Sequence, residues 1–283
     1  VSPRRFWEFT NPRRLRRYVE HARHILGLTA SAAKVRELAG RMVAEHYPRN
    51  ISGLVAVVVA TLTGRSSIRL RGLNHLWDIL AEHPGIVLVL PHTTSLRQGA
   101  AAAVNLRGQL PVMIQSSPHW LWRCLHLVAR WFPMGRQTIL RSLVMASAGY
   151  KTMGVRRLVR VLRQASRLNH VVVCLAGDRA DLSSVSAVVR FLDAPCRFPA
   201  DPIRLALLAG APIIPAAVLH DDAGFFLALG PIITSSLTGA SRDEVRRYVE
   251  STAQAIANYY THIIRQYPEQ WAVNRPGFWD LPR

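Results

Sequence analysis

The chain is poor in lysine, cysteine and acid, and it has no apolar run long enough to cross a bilayer. Only Lys34 and Lys151 are lysines, so nearly all of its 36 basic residues are arginine. Against them stand 17 Asp and Glu, which leaves a formal net charge of +19. The three cysteines, Cys124, Cys174 and Cys196, are odd in number and widely spaced, which argues against a disulfide framework and against a zinc site. Cys174 lies in an apolar run, where a buried inert thiol is the expectation. Such cysteine usage fits a reducing compartment, so the chain reads as cytoplasmic, with peripheral placement on the inner face of the cell membrane as a variant. The basic start is followed by no long apolar run, as a signal peptide would require. The most apolar early stretch, residues 51–63, falls short of the ~20 residues a membrane span needs and reads as a core helix. Low-complexity tracts and fixed-period repeats are absent too, which excludes solenoids and linker-like chains.

What is present is a globular composition, 49% apolar over 283 residues, enough for one large domain. Arginine's planar fork suits phosphate and carboxylate oxygens. The charge therefore points to anionic lipid headgroups, an acidic carrier protein or RNA, and does not choose among them. Residues 1–25 interleave Arg4, Arg5, Arg13, Arg14, Arg16, Arg17 and Arg23 with Phe6, Trp7, Phe9 and Tyr18, a pattern for a membrane interface, RNA phosphates or a solvated helix face.

Residues 30–64 read as helices. Short apolar runs then mark strands at Ile86–Leu90, Leu110–Ile114, Val171–Leu175, Ala187–Leu192, Ile213–Leu219 and Phe225–Leu229. Helical stretches lie between them, notably 154–167 and 201–209. The alternation predicts an α/β fold, a central mixed sheet flanked by helices. Ser241 and Glu244 form a capping-box pattern that opens a long amphipathic helix ending before Pro268. The division expected is an N-terminal helical extension, 1–64, and one compact α/β unit, 65–283.

In such sheets ligands bind beyond the carboxyl ends of strands. The first buried run leads into Pro91-His92-Thr93-Thr94-Ser95, where a histidine can take a proton from an incoming hydroxyl or amine. The third leads into Ala176-Gly177-Asp178-Arg179, where the acid and the arginine orient a ligand or simply pin the turn. Arg190-Phe191-Leu192-Asp193 through Asp201-Pro202 reads as a strand, a turn-rich loop and a helix start. Arg190, Arg197 and Arg204 there suit an anion such as a phosphopantetheine or lipid phosphate.

These segments, in this order, resemble the bacterial lysophospholipid and lipid A biosynthesis acyltransferases, including the phosphatidylinositol mannoside acyltransferases. The resemblance rests on Ile86 to His92, on Leu175 to Leu182, on Val189 to Pro195, on Pro199 to Pro215 and on the tail Tyr267-Pro-Glu-Gln-Trp271. It covers roughly residues 80–275. It implies a glycerolipid-acyltransferase-like fold and transfer of an acyl group from a thioester, acyl-CoA or acyl carrier protein, with no resident cofactor. His92 would be the general base, with Ser95, Arg97, Arg179, Arg190, Arg197 and Arg204 on the substrates.

The family motif places Asp or Glu after the four residues that follow the histidine; here that position is Arg97. A neighbouring cation would weaken the base. Three arrangements accommodate this: another acid, Asp178, stands in; the acceptor is an amine or similar strong nucleophile; or the chain only binds. The tail departs as well, with Asn274-Arg275-Pro276 in place of a more basic stretch. The functions to weigh are thus acyl transfer from a thioester, an aminoacyl-tRNA-dependent transferase making a small-molecule product, and a non-catalytic binder of anionic lipid or a carrier protein.

Overall fold

Strand β2 (Gly85–Leu90) is buried at all six positions, as its unbroken apolar run demands of a strand covered on both faces. The computed structural model describes residues 12–27, 29–63, 65–102, 112–114, 155–167, 170–178, 185–234 and 240–272. Helices α1 (Pro12–Leu26) and α2 (Ala32–Thr63) come first. Next are strand β1 (Leu70–Arg71) and helix α3 (Leu73–Glu82), then β2, α4 (Leu96–Ala102), β3 (Val112–Ile114) and α5 (Val155–Arg163). Strands β4 (Val171–Ala176), β5 (Ser186–Phe191) and β6 (Ala194–Pro199) lead to α6 (Asp201–Ala209). The order closes with β7 (Ile213–Asp221), β8 (Gly224–Leu229), α7 (Arg242–Gln266) and a 3-10 turn at Pro268–Gln270.

Six strands form one sheet in the order β1-β8-β7-β2-β4-β3. Strand β2 runs parallel to both β4 and β7, and β3 parallel to β4, whereas β8 is antiparallel to β7. The sheet is therefore mixed and flanked by helices, as the sequence predicts. Alternate side chains of β2 serve two cores. Val87 and Val89 join a core with α1, α2, α6 and α7. Ile86, Leu88 and Leu90 pack with Leu76, Ile79 and Leu80 of α3. Cys174 of β4 is buried and its thiol is pushed up to about 12, so it is inert; Cys124 lies outside the described residues.

The capping box at the start of α7 forms as predicted: Ser241 Oγ accepts the Glu244 N–H, and Glu244 Oε2 accepts the Ser241 N–H at 2.7 Å. Elsewhere the structure corrects the reading. The strand at Ala187–Leu192 does not enter the central sheet. It is β5, paired antiparallel with β6, a segment that reads as loop in the sequence. Residues 154–167 break after Arg163 into a 3-10 turn at Ala165–Arg167. The apolar stretch 51–63 is helical, but it is not a core helix along its length: Ile51, Val55 and Val59 of α2 are exposed.

Candidate active site

Register brings the site together. In the parallel pair β2 and β4, Leu90 lies opposite Ala176. Two residues further along each strand come His92 and Asp178, so the two side chains emerge next to each other at the carboxyl edge of the sheet. The His92 backbone N–H donates to Asp178 Oδ2 at 2.8 Å, and His92 Nδ1 lies 2.5 Å from Asp178 Oδ1. A carboxylate only accepts, so Nδ1 carries a proton, and in the neutral ring the lone pair sits on Nε2. The His92 side chain is 30% exposed, and Nε2 has no hydrogen-bond partner among the described residues.

Asp178 is fully buried. Burial alone would raise its carboxyl. The His92 charge, the His92 ring and backbone hydrogen bonds and the Trp271 ring N–H outweigh that and hold it below the usual carboxylate value. Trp271 Nε1 reaches Asp178 Oδ2 at 3.4 Å.

The tail motif is the clamp for this arrangement. Trp271 bridges Thr93 as a one-residue antiparallel pair, and the Ala272 N–H donates to His92 C=O at 2.7 Å. The Thr94 N–H donates to Gln270 C=O at 2.8 Å. The Gln270 side chain brackets the peptide of His220, accepting its N–H at 3.0 Å and donating to its C=O at 2.7 Å. The backbone groups that these tail residues engage lie in the His92 loop and in β7, and both are thereby fixed to the Gln270–Ala272 segment.

A second network backs the loop. Ser95 Oγ lies 2.9 Å from His220 Nδ1, and His220 Nε2 lies 3.3 Å from Glu45 Oε1 of α2. Ser95 Oγ and His220 Nδ1 share a hydrogen bond, while the opposite ring nitrogen faces the Glu45 carboxylate. Glu45 also accepts from Arg49 Nε at 2.8 Å and from Thr94 Oγ1 at 3.4 Å. Ser95 is completely buried in this network.

The predicted site residues thus divide. His92 and Asp178 meet; Ser95 stands behind them, turned to His220. Arg190, Arg197 and Arg204 are exposed. On the β5–β6 hairpin the arginines occupy the outer face, while Phe191 on the inner face packs edge-on to Trp271 at 5.5 Å. Arg197 Nη1 donates to Ser186 Oγ at 3.2 Å. Arg97 lies in α4, but its side chain, like all of Arg179, is outside the described residues. The sequence reading missed Glu45, Arg49, His220 and Gln270. Gln270 could have been found in the tail motif, and His220 at the end of an apolar strand; nothing local marks Glu45.

The family model described as bacterial lipid A biosynthesis acyltransferase matches residues 41–276. The chain is 27% identical over 206 residues to a phosphatidylinositol mannoside acyltransferase of Mycobacterium tuberculosis strain H37Rv, covering 72% of this chain and 58% of that protein. It is 26% identical over 209 residues to the phosphatidylinositol mannoside acyltransferase of Mycolicibacterium smegmatis, 72% of this chain and 60% of that one. The chain therefore spans less than two thirds of the length of these relatives. With the match running through both the His92 loop and the Trp271 clamp, the chain belongs to the bacterial lipid A biosynthesis acyltransferase family.

Proposed function

We propose that this chain transfers an acyl group from a thioester to a hydroxyl or amine of a lipid-borne acceptor, with His92 as general base and Asp178 as its orienting acid. The observation that carries the reading is the 2.5 Å approach of Asp178 Oδ1 to His92 Nδ1. It turns Nε2 away from the carboxylate, and in the neutral ring that nitrogen carries the lone pair. Asp178 fills the role that the family motif gives to the position held here by Arg97.

In the reaction, His92 Nε2 takes the proton of the acceptor O–H or N–H as its heteroatom attacks the thioester carbonyl. The C–S bond breaks, the acyl group moves to the acceptor, and the imidazolium returns its proton to the departing thiolate. Asp178 holds the ring in the productive tautomer and stabilises the transient cation. The donor is acyl-CoA or acyl carrier protein, each bearing phosphopantetheine, and no resident cofactor is required. The lipid nature of the acceptor follows the relatives named as phosphatidylinositol mannoside acyltransferases. The basic surface, with net charge +19, complements both an acidic carrier protein and the inner face of an anionic membrane.

The test is incubation of the full chain with radiolabelled acyl-CoA or acyl carrier protein and a panel of phosphoglycolipids, alongside His92→Ala. Acyl transfer that disappears in the variant is expected. An alanine variant as active as the wild type would remove His92 from the mechanism.

A further inference from the structure

Pro48 divides α2 into two unlike halves. Before it, Val35, Leu38, Ala39, Met42 and Val43 are buried in the main core. After it, Ala60 packs with Ala56 and Ile68 in a small cluster apart from both large cores. On the open side of this half, Ile51, Val55 and Val59 are 50%, 56% and 49% exposed. A spacing of four puts them on one helix face. At about 1.5 Å per residue the stripe runs roughly 12 Å along the axis. Exposed apolar side chains scattered singly need no explanation, but three aligned on one face mark a surface that meets something apolar.

The charge around the stripe says what that is. Between Glu45 and Asp78 the sequence has no acidic residue, but it has Arg49, Arg65, Arg69 and Arg71. Arg49 is held by Glu45 and Arg71 by Asp221. Arg65 and Arg69, just beyond the end of the helix, are exposed and form no ion pair among the described residues. Arg41 is exposed two turns before Pro48. An exposed apolar stripe flanked in sequence by exposed arginines is the composition of an in-plane interfacial helix, whose side chains enter the acyl boundary while guanidinium groups reach headgroup phosphates.

We propose that Ile51, Val55 and Val59, with Arg41, Arg65 and Arg69, form a docking face for an anionic lipid surface. A second copy of the chain would bring one arginine-rich face against another. An acidic protein would satisfy the arginines and leave the apolar stripe in water. A lipid surface takes up both. No helix among the described residues is long and apolar enough to cross a membrane, so the helix lies on the surface.

The face also adjoins the catalytic edge. The same half of α2 accepts Gln98 Nε2 at the Arg49 carbonyl, 2.9 Å away, and Gln98 sits on α4 directly after the His92 loop. The inference does not depend on the acyl-transfer reading, because binding to lipid is measured without turnover.

The experiment is co-sedimentation of the full chain with phosphatidylcholine vesicles, with and without phosphatidylglycerol. We expect salt-sensitive binding to the anionic vesicles. Val55→Asp combined with Val59→Asp lowers it by about tenfold or more, with an unchanged thermal melt by circular dichroism. Arg65→Gln and Arg69→Gln each lower it by about fivefold, and only on anionic vesicles. Wild-type protein that stays in the supernatant would overturn the proposal. So would the double aspartate variant binding as tightly as wild type, which would move lipid contact elsewhere on the chain. A wild-type dimer by size-exclusion chromatography that the aspartates dissolve would assign the face to a second copy and overturn it equally.

Discussion

Trp271 donates its ring N–H to Oδ2 of Asp178, the oxygen that also accepts the His92 backbone N–H. One carboxylate therefore holds the histidine ring with one oxygen, and the loop and tail with the other. Trp271→Phe keeps an aromatic ring beside Phe191, removes that donor and leaves a cavity where the larger ring was buried. The lost donor should cost about 1 kcal/mol of Asp178 stabilisation, a rate reduction of roughly fivefold, and the cavity should lower the melting temperature. Steady-state kinetics beside a thermal melt checks it, and an unchanged kcat would show that the indole serves packing alone.

Asp178→Asn preserves the shape of the side chain and the acceptor for the His92 N–H, but it ends the charge opposite Nδ1. Loss of an orienting carboxylate leaves geometry intact and lowers kcat by several orders of magnitude, so about a thousandfold loss is expected. Arg97→Asp should not rescue the variant, because the acid at Nδ1 comes from the bend after β4 and not from α4. Single-turnover rates of the two single variants and the double variant decide this. Full activity in Asp178→Asn would mean that His92 works without a carboxylate.

How much of this pair was legible follows from what sets it. Each residue stands at the end of an apolar run, which marks a strand end in the sequence. Their meeting depends on Leu90 lying opposite Ala176, and apolar runs carry no register. The β5–β6 hairpin was hidden for another reason. Its two-residue turn is Leu192-Asp193, both at positive φ, 48° and 63°, where Asn-Gly is the usual signal. Leu192 is buried in the core, so burial overrides its local preference. Glu45 reaches His220 from a helix 175 residues earlier in the chain, and no spacing rule could associate them.

His220 gives a prediction for stability against pH. Burial lowers its basicity; Glu45 opposes this and Arg49 lowers it further, and the result lies below the ordinary value. An unfolded histidine binds a proton near about pH 6.5. The unfolded chain therefore takes up a proton that folded His220 refuses, and folding stability falls as pH drops through that window. The wild-type melting temperature should decline between about pH 7 and pH 5. In His220→Asn the decline should be shallower. Identical slopes in the two proteins would place the titrating group elsewhere.

The peptide beneath the dyad is closely packed. Gly177 donates its N–H to Leu90 C=O at 2.8 Å, which holds β4 to β2 one residue before Asp178. A Cβ built on it would lie 2.2 Å from Tyr260 Oη and 2.5 Å from Val89 Cγ1. Glycine is needed there for close approach, and Gly177→Ala should cost about 1–3 kcal/mol through overpacking. Tyr260 is fully buried, and its hydroxyl has no hydrogen-bond partner among the described residues. Burial first, and then the Asp178 charge, keep that hydroxyl protonated. Tyr260→Phe removes both an unsatisfied polar atom and the nearer of the two clashes. On its own it should be neutral or slightly stabilising; combined with Gly177→Ala it should recover part of the loss, with Val89 accounting for the rest. Urea unfolding of the two single variants and the double variant measures the coupling. Strict additivity would show that the backbone shifts at Gly177 and never meets the tyrosine.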